Sequence, residues 1–167
     1  MCSFSTNNYH SILSLIKEAA FMTLSNILAK DIMTKNPVRV TLDDRLRVVK
    51  ELFENNDFRH LLVEEEGKLI GILSDRDLYR NISPNLNTNR FTFNDLDTLS
   101  IPVHRVVTRK PISIKESASL KEIIQILTSK KISALPVVDD NNVIVGIISW
   151  KDVLNEIQKN LEGFQAL

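Results

Sequence analysis

Two hydrophobic patterns alternate along the chain and predict two kinds of element. In the first half, apolar residues recur at the three- and four-residue spacing of a single helical face: Leu46, Val49, Leu52 and Phe53. This spacing is typical of an amphipathic helix with one buried side. Two short runs rich in aliphatic residues follow at 60–63 and 69–73, with a polar, glycine-containing segment between them. They predict two strands joined by a turn, and a further helix is expected after Ser74.

The second half shows the same order of patterns. Apolar residues again mark one helical face: Leu120, Ile123, Ile124 and Leu127. Strand-like runs at 134–138 and 143–148 flank the polar turn 139–142. A last helix is predicted to carry apolar side chains on one side: Val153, Leu154, Ile157 and Leu161. We expect Asp43 and Ser117 to cap the two central helices.

The two halves also repeat each other in residue type. The motif Gly-x-x-Ser-x-x-Asp occupies 71–77 and returns 75 residues later at 146–152. The segment 33–38, Met-Thr-Lys-Asn-Pro-Val, returns 74 residues later at 107–112 as Val-Thr-Arg-Lys-Pro-Ile. One residue inserted near 139–142 reconciles the two offsets. Such self-similarity is the signature of a repeat architecture.

The duplication sets the predicted domain organisation. One repeat of about fifty residues cannot bury both faces of its small sheet, so the two are expected to pack as one unit. We predict an α/β protein of the mixed α+β type, with two tandem β-α-β-β-α repeats packed in pseudo-twofold symmetry. Its predicted parts are an N-terminal extension (1–26), a first repeat (27–82), a connector (83–103), a second repeat (104–160) and a C-terminal tip (161–167).

Composition argues against several classes of function. The 167 residues include 21 Lys and Arg and 21 Asp and Glu, so no net charge favours nucleic acid or an anionic membrane. The single Cys2 excludes an intrachain disulfide and a thiolate metal cluster, which fits a cytoplasmic protein. The apolar stretch 12–24 contains Lys17 and Glu18 and is too short to span a membrane. A short amphipathic helix or a frayed extension is predicted there instead.

The duplicated Gly-x-x-Ser-x-x-Asp motif lies at a strand-to-helix junction and has two explanations. Ser74 and Asp77 can cap the following helix, which is a purely structural role. The same junction offers backbone N–H groups to a polar ligand, while Asp accepts from two neighbouring hydroxyls such as those of a ribose. Gly71 permits a close approach, either of a ligand or of a neighbouring strand. The motif alone does not separate the two roles.

Taken in order, the motifs resemble a tandem pair of CBS domains, the cystathionine β-synthase type of repeat that forms a Bateman module. The resemblance rests on Ile-Ser-Ala-Leu-Pro-Val-Val at 132–138 followed by two Asp residues, on Asp-Ile-Met-Thr at 31–34 with Pro37, and on the two Ser-x-x-Asp motifs. It covers about residues 27–160. It implies a regulatory module that binds adenosine derivatives in two clefts between the repeats. One repeat would hold the base, and the Ser-x-x-Asp of the other would hold ribose and phosphate.

Carried onto this sequence, the resemblance implies two composite clefts. The first is expected to contain Met33, Thr34, Pro37, Val38, Phe58, Arg59 and His60 together with Ser149 and Asp152. The second is expected to contain Val107, Thr108, Pro111, Ile112, Ile132, Ser133 and Ala134 together with Ser74 and Asp77. AMP, ADP, ATP and S-adenosylmethionine are the candidate regulatory ligands, and no cofactor or metal is required.

The two expected clefts differ in charge. Arg59 and His60 occupy the places of Ser133 and Ala134, so the first cleft is expected to hold a fixed cation and a titratable imidazole. Asp75 stands beside the motif of the second cleft and argues against tight polyphosphate binding there. We therefore predict that phosphorylated ligands prefer the first cleft, whereas the second tolerates adenosine or S-adenosylmethionine better.

Each of these residues also has an explanation without a ligand. Arg59 is equally consistent with a solvated strand start, and His60 with partly buried packing. Lys130 and Lys131 precede a strand near the second cleft and are expected to face water. Trp150 is expected to be a packing or interface residue.

No catalytic constellation is found in the sequence. The three His residues lie far apart without metal-ligand spacing, and no nucleophile elbow or Lys-bearing phosphate loop is present. The first hypothesis is therefore a sensor that binds an adenosine ligand and signals to an unidentified effector protein. The alternative is a ligand-free scaffold for dimerisation or protein–protein interaction, which would need neither Asp77 nor Asp152. A homodimer is expected through the apolar side of the last helix, unless that side is buried within the monomer.

Overall fold

A computed structural model describes residues 26–86 and 88–165, and the side chains of 161–165 lie outside that description. Apart from Asn26, the predicted N-terminal extension also lies outside the described residues. The helix or frayed extension expected at 12–24 therefore stays a prediction.

The two halves follow the same general order of elements, but the first helix and the second strand of the first half have no α-helix or strand as counterpart among the described residues of the second. The first contains α1 (Ala29–Ile32), β1 (Thr34–Lys35), β2 (Arg39–Thr41), α2 (Leu46–Glu54), β3 (His60–Glu65), β4 (Lys68–Ser74) and α3 (Asp75–Asn81). The second contains β5 (Thr108–Arg109), α4 (Leu120–Lys130), β6 (Ala134–Val138), β7 (Ile144–Ser149) and α5 (Trp150–Gln165). The mixed α+β fold with tandem repeats is confirmed.

The two repeats exchange their first strands. β1 of the first repeat pairs antiparallel with β7 of the second, in a sheet of order β1–β7–β6. β5 of the second repeat pairs antiparallel with β4 of the first, in a sheet of order β2–β3–β4–β5. The registers are equivalent, since Thr34 lies opposite Ile147 and Thr108 lies opposite Ile72. Each short strand therefore lies beside the strand that ends in the other repeat's Ser-x-x-Asp motif.

The segments that precede the short strands are exchanged as well. Leu46 donates its backbone N–H to the Ile101 carbonyl, and Leu120 donates to the Ile27 carbonyl in the equivalent way, each at 2.9 Å. The first N–H groups of a helix have no partner within the helix. A main-chain contact from the other repeat satisfies one of them in each central helix.

Both central helices begin later than the predicted caps. α2 follows Arg45, which makes no side-chain cap bond, so the cap expected at Asp43 is wrong. α4 follows Ser119, whose hydroxyl accepts from the Glu122 N–H at 3.3 Å, so the cap expected at Ser117 is also wrong. A main-chain contact from the other repeat lies at both helix starts, but only α2 begins without a side-chain cap, whereas Ser119 caps α4 locally.

Three apolar clusters hold the repeats together. The cluster of the first repeat includes Val103 from the start of the second, and the cluster of the second repeat includes Ala29 from the start of the first. The third cluster draws on both sheets: Leu62, Leu69, Val138 and Ile144. Burial of each such large aliphatic side chain contributes roughly 1.5–3 kcal/mol. The two repeats therefore form one packed unit.

The connector is more regular than its Asn-, Ser- and Thr-rich composition suggests. It contains a 3₁₀ helix, Phe93–Ser100, and a second short one follows at Val103–Arg105. The Ser83 hydroxyl donates to Asp95. Leu99 and Ile101 pack against the core of the first repeat, so this segment is anchored to the fold.

The apolar side of the last helix faces the monomer's own core. Val153 is fully buried, and Ile157 packs against the cluster of the second repeat. The side chain of Leu161 lies outside the described residues. The dimer contact expected on this side is therefore not available at Val153 and Ile157, whereas Leu154 is 60% exposed.

Candidate functional site

In both Ser-x-x-Asp motifs the Ser holds the Asp carboxylate in the same way. The Ser74 hydroxyl and backbone N–H donate to Asp77 Oδ2 at 2.6 and 2.9 Å. The corresponding groups of Ser149 donate to Asp152 Oδ2 at 2.6 and 2.7 Å. In the first motif the Asp77 N–H also donates to the Ser74 hydroxyl at 3.2 Å, which completes a capping box, and the second motif shares the carboxylate part of this arrangement. The cap uses Oδ2, so Oδ1 of each carboxylate, without a donor among the described residues, stays available as an acceptor.

The glycine of each motif accommodates a neighbouring strand. A Cβ at Gly71 would collide with Val107 Cγ2 and lie 2.9 Å from the Thr108 carbonyl oxygen. A Cβ at Gly146 would lie 2.5 Å from Met33 Sδ. At Gly71 the backbone of the exchanged strand leaves no room for a Cβ, and at Gly146 the Met33 side chain occupies that space. Of the two explanations left open for the glycine, the structure therefore supports the close strand.

A cleft of about 830 Å³ lies between segments of both repeats, and we call it the Asp152 cleft. Its lining includes all but one of the residues expected for the first cleft: Thr34, Pro37, Val38, Phe58, Arg59, His60, Ser149 and Asp152. Further lining residues are Asn36, Asp57, Ser133, Ile147, Trp150 and Lys151. Trp150 also donates its indole N–H to the Ile132 carbonyl at 3.2 Å, in agreement with a packing role.

A second cleft, of about 340 Å³, is the pseudo-symmetric counterpart, and we call it the Asp77 cleft. Its lining again includes all but one of the expected residues: Ser74, Asp77, Thr108, Pro111, Ile112, Ile132, Ser133 and Ala134. Further lining residues are His60, Ile72, Lys110 and Lys131. Both clefts are composite, as the resemblance implied.

Met33 and Val107 are the two expected site residues that line neither cleft. Met33 packs against the core of the second repeat, and Val107 packs against the core of the first. Both also lie against the glycine of the opposite repeat. They position the exchanged strands, and the cleft surface begins with the Thr that follows each of them.

Several residues that line the clefts were not assigned to them from the sequence, although the 74-residue register of the repeats relates them in pairs. Asn36 and Lys110 are equivalent at the 74-residue offset and share a left-handed backbone, with φ of 48° and 50°. Asp57 and Lys131 are equivalent at the same offset, and each lines its own cleft. These positions differ in residue type, so a search for matching residues passes over them. Lys131, which was expected to face water, is exposed at the edge of the Asp77 cleft.

His60 and Ser133 form a wall that both clefts share. His60 Nε2 lies 2.9 Å from Ser133 Oγ, and both residues line both clefts. Burial lowers the pKa of His60, although the carboxylates of Asp75 and Asp77 oppose that shift. The imidazole is therefore neutral at pH 7, and it gains charge only at a lower pH than the sequence suggested.

One ion pair changes the expected charge difference between the clefts. Arg59 Nη1 lies 2.6 Å from Asp75 Oδ2, and this hydrogen bond raises the pKa of the guanidinium. Arg59 still lines the Asp152 cleft, but with a carboxylate partner, and Asp75 lines neither cleft. Lys110 and Lys131 make no ion pair with any residue that the structure describes. Lys151 in the Asp152 cleft makes none either, so two unpaired lysines line the Asp77 cleft and one lines the Asp152 cleft, which does not match the excess of positive charge expected in the Asp152 cleft.

The structure describes residues 26–86 and 88–165, and the polar and charged side chains described there lie outside the core and form no metal site. No polar or charged residue in 26–86 or 88–160 is buried. No group of three or more His, Cys, Asp or Glu in those ranges is placed to hold a metal ion. The helices found in the same ranges are all too short or too polar to cross a membrane.

Family comparison agrees with the duplicated architecture. The model of the CBS domain matches residues 29–84 and again residues 103–159. An uncharacterized protein of Methanocaldococcus jannaschii is 32% identical over 89% of this chain. The match covers 55% of that protein, so the chain spans about half the length of this relative.

Two solved structures share the fold of the whole pair. A protein named for acetoin utilization (AcuB) from Vibrio cholerae is 29% identical, with a TM-score of 0.69 over 84% of this chain and 97% of its own. CBSX2, solved in complex with AMP, is 25% identical, with a TM-score of 0.66 over 80% of this chain and 98% of its own. With two family matches, two exchanged strands and two equivalent clefts, the chain belongs to the CBS domain family as a tandem pair of CBS domains.

Proposed function

We propose that this protein is a regulatory sensor. It binds an adenosine-containing ligand, either an adenine nucleotide (AMP, ADP or ATP) or S-adenosylmethionine, in the clefts between its CBS domains and signals occupancy to an effector protein. The observation that carries the proposal is that each Ser-x-x-Asp motif lines a cleft completed by the other repeat. A purely structural cap requires no such cleft beside it.

The carboxylates of Asp77 and Asp152 suit the sugar of such a ligand. Each is held by its Ser through Oδ2, which leaves Oδ1 as an acceptor. An ionised carboxylate only accepts hydrogen bonds, and the two neighbouring hydroxyls of a ribose can both donate. The cap therefore fixes the carboxylate without using up its capacity to bind.

Each cleft also offers apolar surface to a base. Val38 is 40% exposed in the Asp152 cleft, and its equivalent Ile112 is 41% exposed in the Asp77 cleft. Each follows a proline, and Phe58 adds an aromatic ring to the Asp152 cleft. A purine that covers these side chains gains roughly 25 cal/mol for each Å² of apolar surface removed from water.

The AMP bound to CBSX2 supports an adenosine ligand, because the match covers nearly all of that chain. No catalytic role is part of the proposal, which assigns the function to binding and signalling. The expected cytoplasmic location remains a prediction.

Substitution of the two carboxylates tests the proposal. By calorimetry, Asp77→Ala and Asp152→Ala are each expected to weaken AMP binding in their own cleft by about 1–3 kcal/mol, since hydrogen bonds to the sugar are lost. Asp95→Ala is the matched control, because Asp95 Oδ2 accepts the same pair of bonds from Thr92, at 2.6 and 2.7 Å, and lines neither cleft. If the two cleft variants change binding no more than this control, the site assignment is wrong.

The ligand-free scaffold is the second candidate function, and exposed apolar side chains favour it. Among the described residues, six large ones lie outside both clefts: Val48, Tyr79, Phe91, Phe93, Leu96 and Leu154. A ligand that binds only the folded state must raise Tm. If AMP, ADP, ATP and S-adenosylmethionine all leave Tm unchanged, the scaffold replaces the sensor. A homodimer is proposed under either function, and a monomer mass by light scattering at micromolar concentration would contradict it.

A further inference from the structure

The two clefts have equivalent backbones but different charges at equivalent positions. Asn36 and Lys110 occupy the same turn, with φ of 48° and 50°. Asp57 and Lys131 are equivalent at the 74-residue offset, and each lines its own cleft. At both places the Asp77 cleft has a cation where the Asp152 cleft has an amide or a carboxylate.

Ion pairing increases this difference. The two lysines of the Asp77 cleft have no ion-pair partner in the described ranges. In the Asp152 cleft, Arg59 is paired with Asp75, and the other exposed charges, Asp57 and Lys151, have opposite signs. An anionic ligand therefore meets unpaired positive charge in one cleft and nearly balanced charge in the other.

We infer that the two clefts sort adenosine ligands by charge, an inference that rests on the proposed function. The Asp77 cleft takes a ligand with an anionic 5′ group, that is, a nucleotide. The Asp152 cleft takes a ligand with a neutral or cationic 5′ group, such as S-adenosylmethionine. The Asp152 cleft has a volume of about 830 Å³, whereas the Asp77 cleft has about 340 Å³. The Asp152 cleft therefore also has room for the amino-acid chain of S-adenosylmethionine.

The physical basis is Coulomb attraction at a solvent-facing edge. A phosphate is attracted by Lys110 and Lys131 and repelled by Asp57. Exposed charges act in this way over about a Debye length, which is roughly 10 Å at 0.1 M salt. The sorting should therefore weaken as ionic strength rises, whereas sorting by shape should not.

The test begins with two variants that each retain one cleft. Asp152→Ala retains the Asp77 cleft, and there AMP is expected to bind roughly three- to tenfold more tightly than adenosine. Asp77→Ala retains the Asp152 cleft, and there adenosine is expected to bind at least as tightly as AMP. The two compounds share base and ribose, so the ratio of their dissociation constants isolates the phosphate.

Exchanging the charges of the equivalent residues Asp57 and Lys131 then tests whether these two side chains cause the preference for AMP or for adenosine. Lys131→Asp should abolish the preference for AMP in the Asp77 cleft, and Asp57→Lys should create one in the Asp152 cleft. Lys130→Asp is the matched control, since Lys130 is also exposed at the end of α4 and lines neither cleft. The control is expected to change the ratio in the Asp77 cleft less than Lys131→Asp does, because its charge lies outside the cleft.

A salt series on the unmodified protein does not depend on the folding of any variant. The preference for AMP over adenosine should fall as NaCl rises from about 50 to about 500 mM, because the Debye length shortens. Equal ratios in the two clefts, or ratios unchanged by the charge exchange, would overturn the sorting and leave the proposed function intact. Failure of both compounds to bind the unmodified protein would overturn both.

Discussion

The Asp77 and Asp152 clefts are two copies of one construction with different contents. Each combines an exchanged strand, a turn at positive φ and an Asp held by a Ser at the start of a helix. Yet one has a volume of about 830 Å³ and the other about 340 Å³, and their edge charges differ. The backbones match because main-chain hydrogen bonds are available to every residue. Side chains at the cleft edge face solvent and are less constrained by packing, so two clefts with the same backbone can differ in charge.

His60 departs most from this symmetry. Its equivalent is Ala134, which has no polar side chain, whereas His60 reaches Ser133 of the other repeat and lines both clefts. A change at His60 is therefore expected to affect both clefts. Changes at Asp57 or Lys131 are expected to affect only one.

The largest effect is expected from a methyl group added at the strand exchange. Gly71→Ala places a Cβ 2.9 Å from the Thr108 carbonyl oxygen and against the branched Val107, so the free energy of unfolding should fall by about 2–3 kcal/mol. Gly146→Ala meets the Met33 thioether first. Because that side chain is unbranched and can move aside, the loss should be clearly smaller. Urea denaturation of both variants measures the difference, and equal losses would show that the two exchanges are equally rigid.

A smaller effect is expected from the titration of His60. Burial lowers its pKa, with Arg76 acting in the same direction and Asp75 and Asp77 against it. The unfolded chain therefore binds more protons between the ordinary pKa, about 6.5, and the lower folded value. Stability should fall as pH decreases through that window, and His60→Gln should reduce the loss.

Urea unfolding at about pH 7.5 and about pH 5.5 measures this slope, on either side of the ordinary imidazole pKa. His104→Gln is the control, because His104 is exposed and lines neither cleft. A slope that His60→Gln leaves unchanged would assign the pH dependence to other groups.

The smallest effect is expected where an exposed ion pair is broken. Asp75→Ala releases Arg59, so AMP should bind the Asp152 cleft roughly two- to threefold more tightly, with adenosine unaffected. The double variant with Arg59→Ala should lose that gain. Calorimetry with both compounds measures it. If Arg59→Ala alone already weakens AMP far more than adenosine, Arg59 contacts phosphate despite its pairing with Asp75.

Most of the cleft residues could be predicted from the sequence, because the duplicated motifs and the family resemblance together indicate them. Ser74, Asp77, Ser149 and Asp152 all line the clefts expected of them, because a motif of consecutive residues keeps its local geometry. Met33 was placed in a cleft, but it packs against the core, since its side chain meets a glycine that lies far away in sequence. The caps expected at Asp43 and Ser117 are both wrong: α2 begins after Arg45 without a side-chain cap but with a main-chain contact from the other repeat, and α4 is capped by Ser119, two residues further on.

By itself the sequence determined that this chain is two copies of one α+β unit and that each copy carries a Ser-x-x-Asp motif. Hydrophobic period and residue identity are properties of neighbouring residues, so they can be read before any contact is known. Only the tertiary structure decided that Arg59 is paired with Asp75, that Val153 is buried, and that two unpaired lysines border the Asp77 cleft. These outcomes depend on distances between remote residues, which the exchange of strands between the repeats establishes.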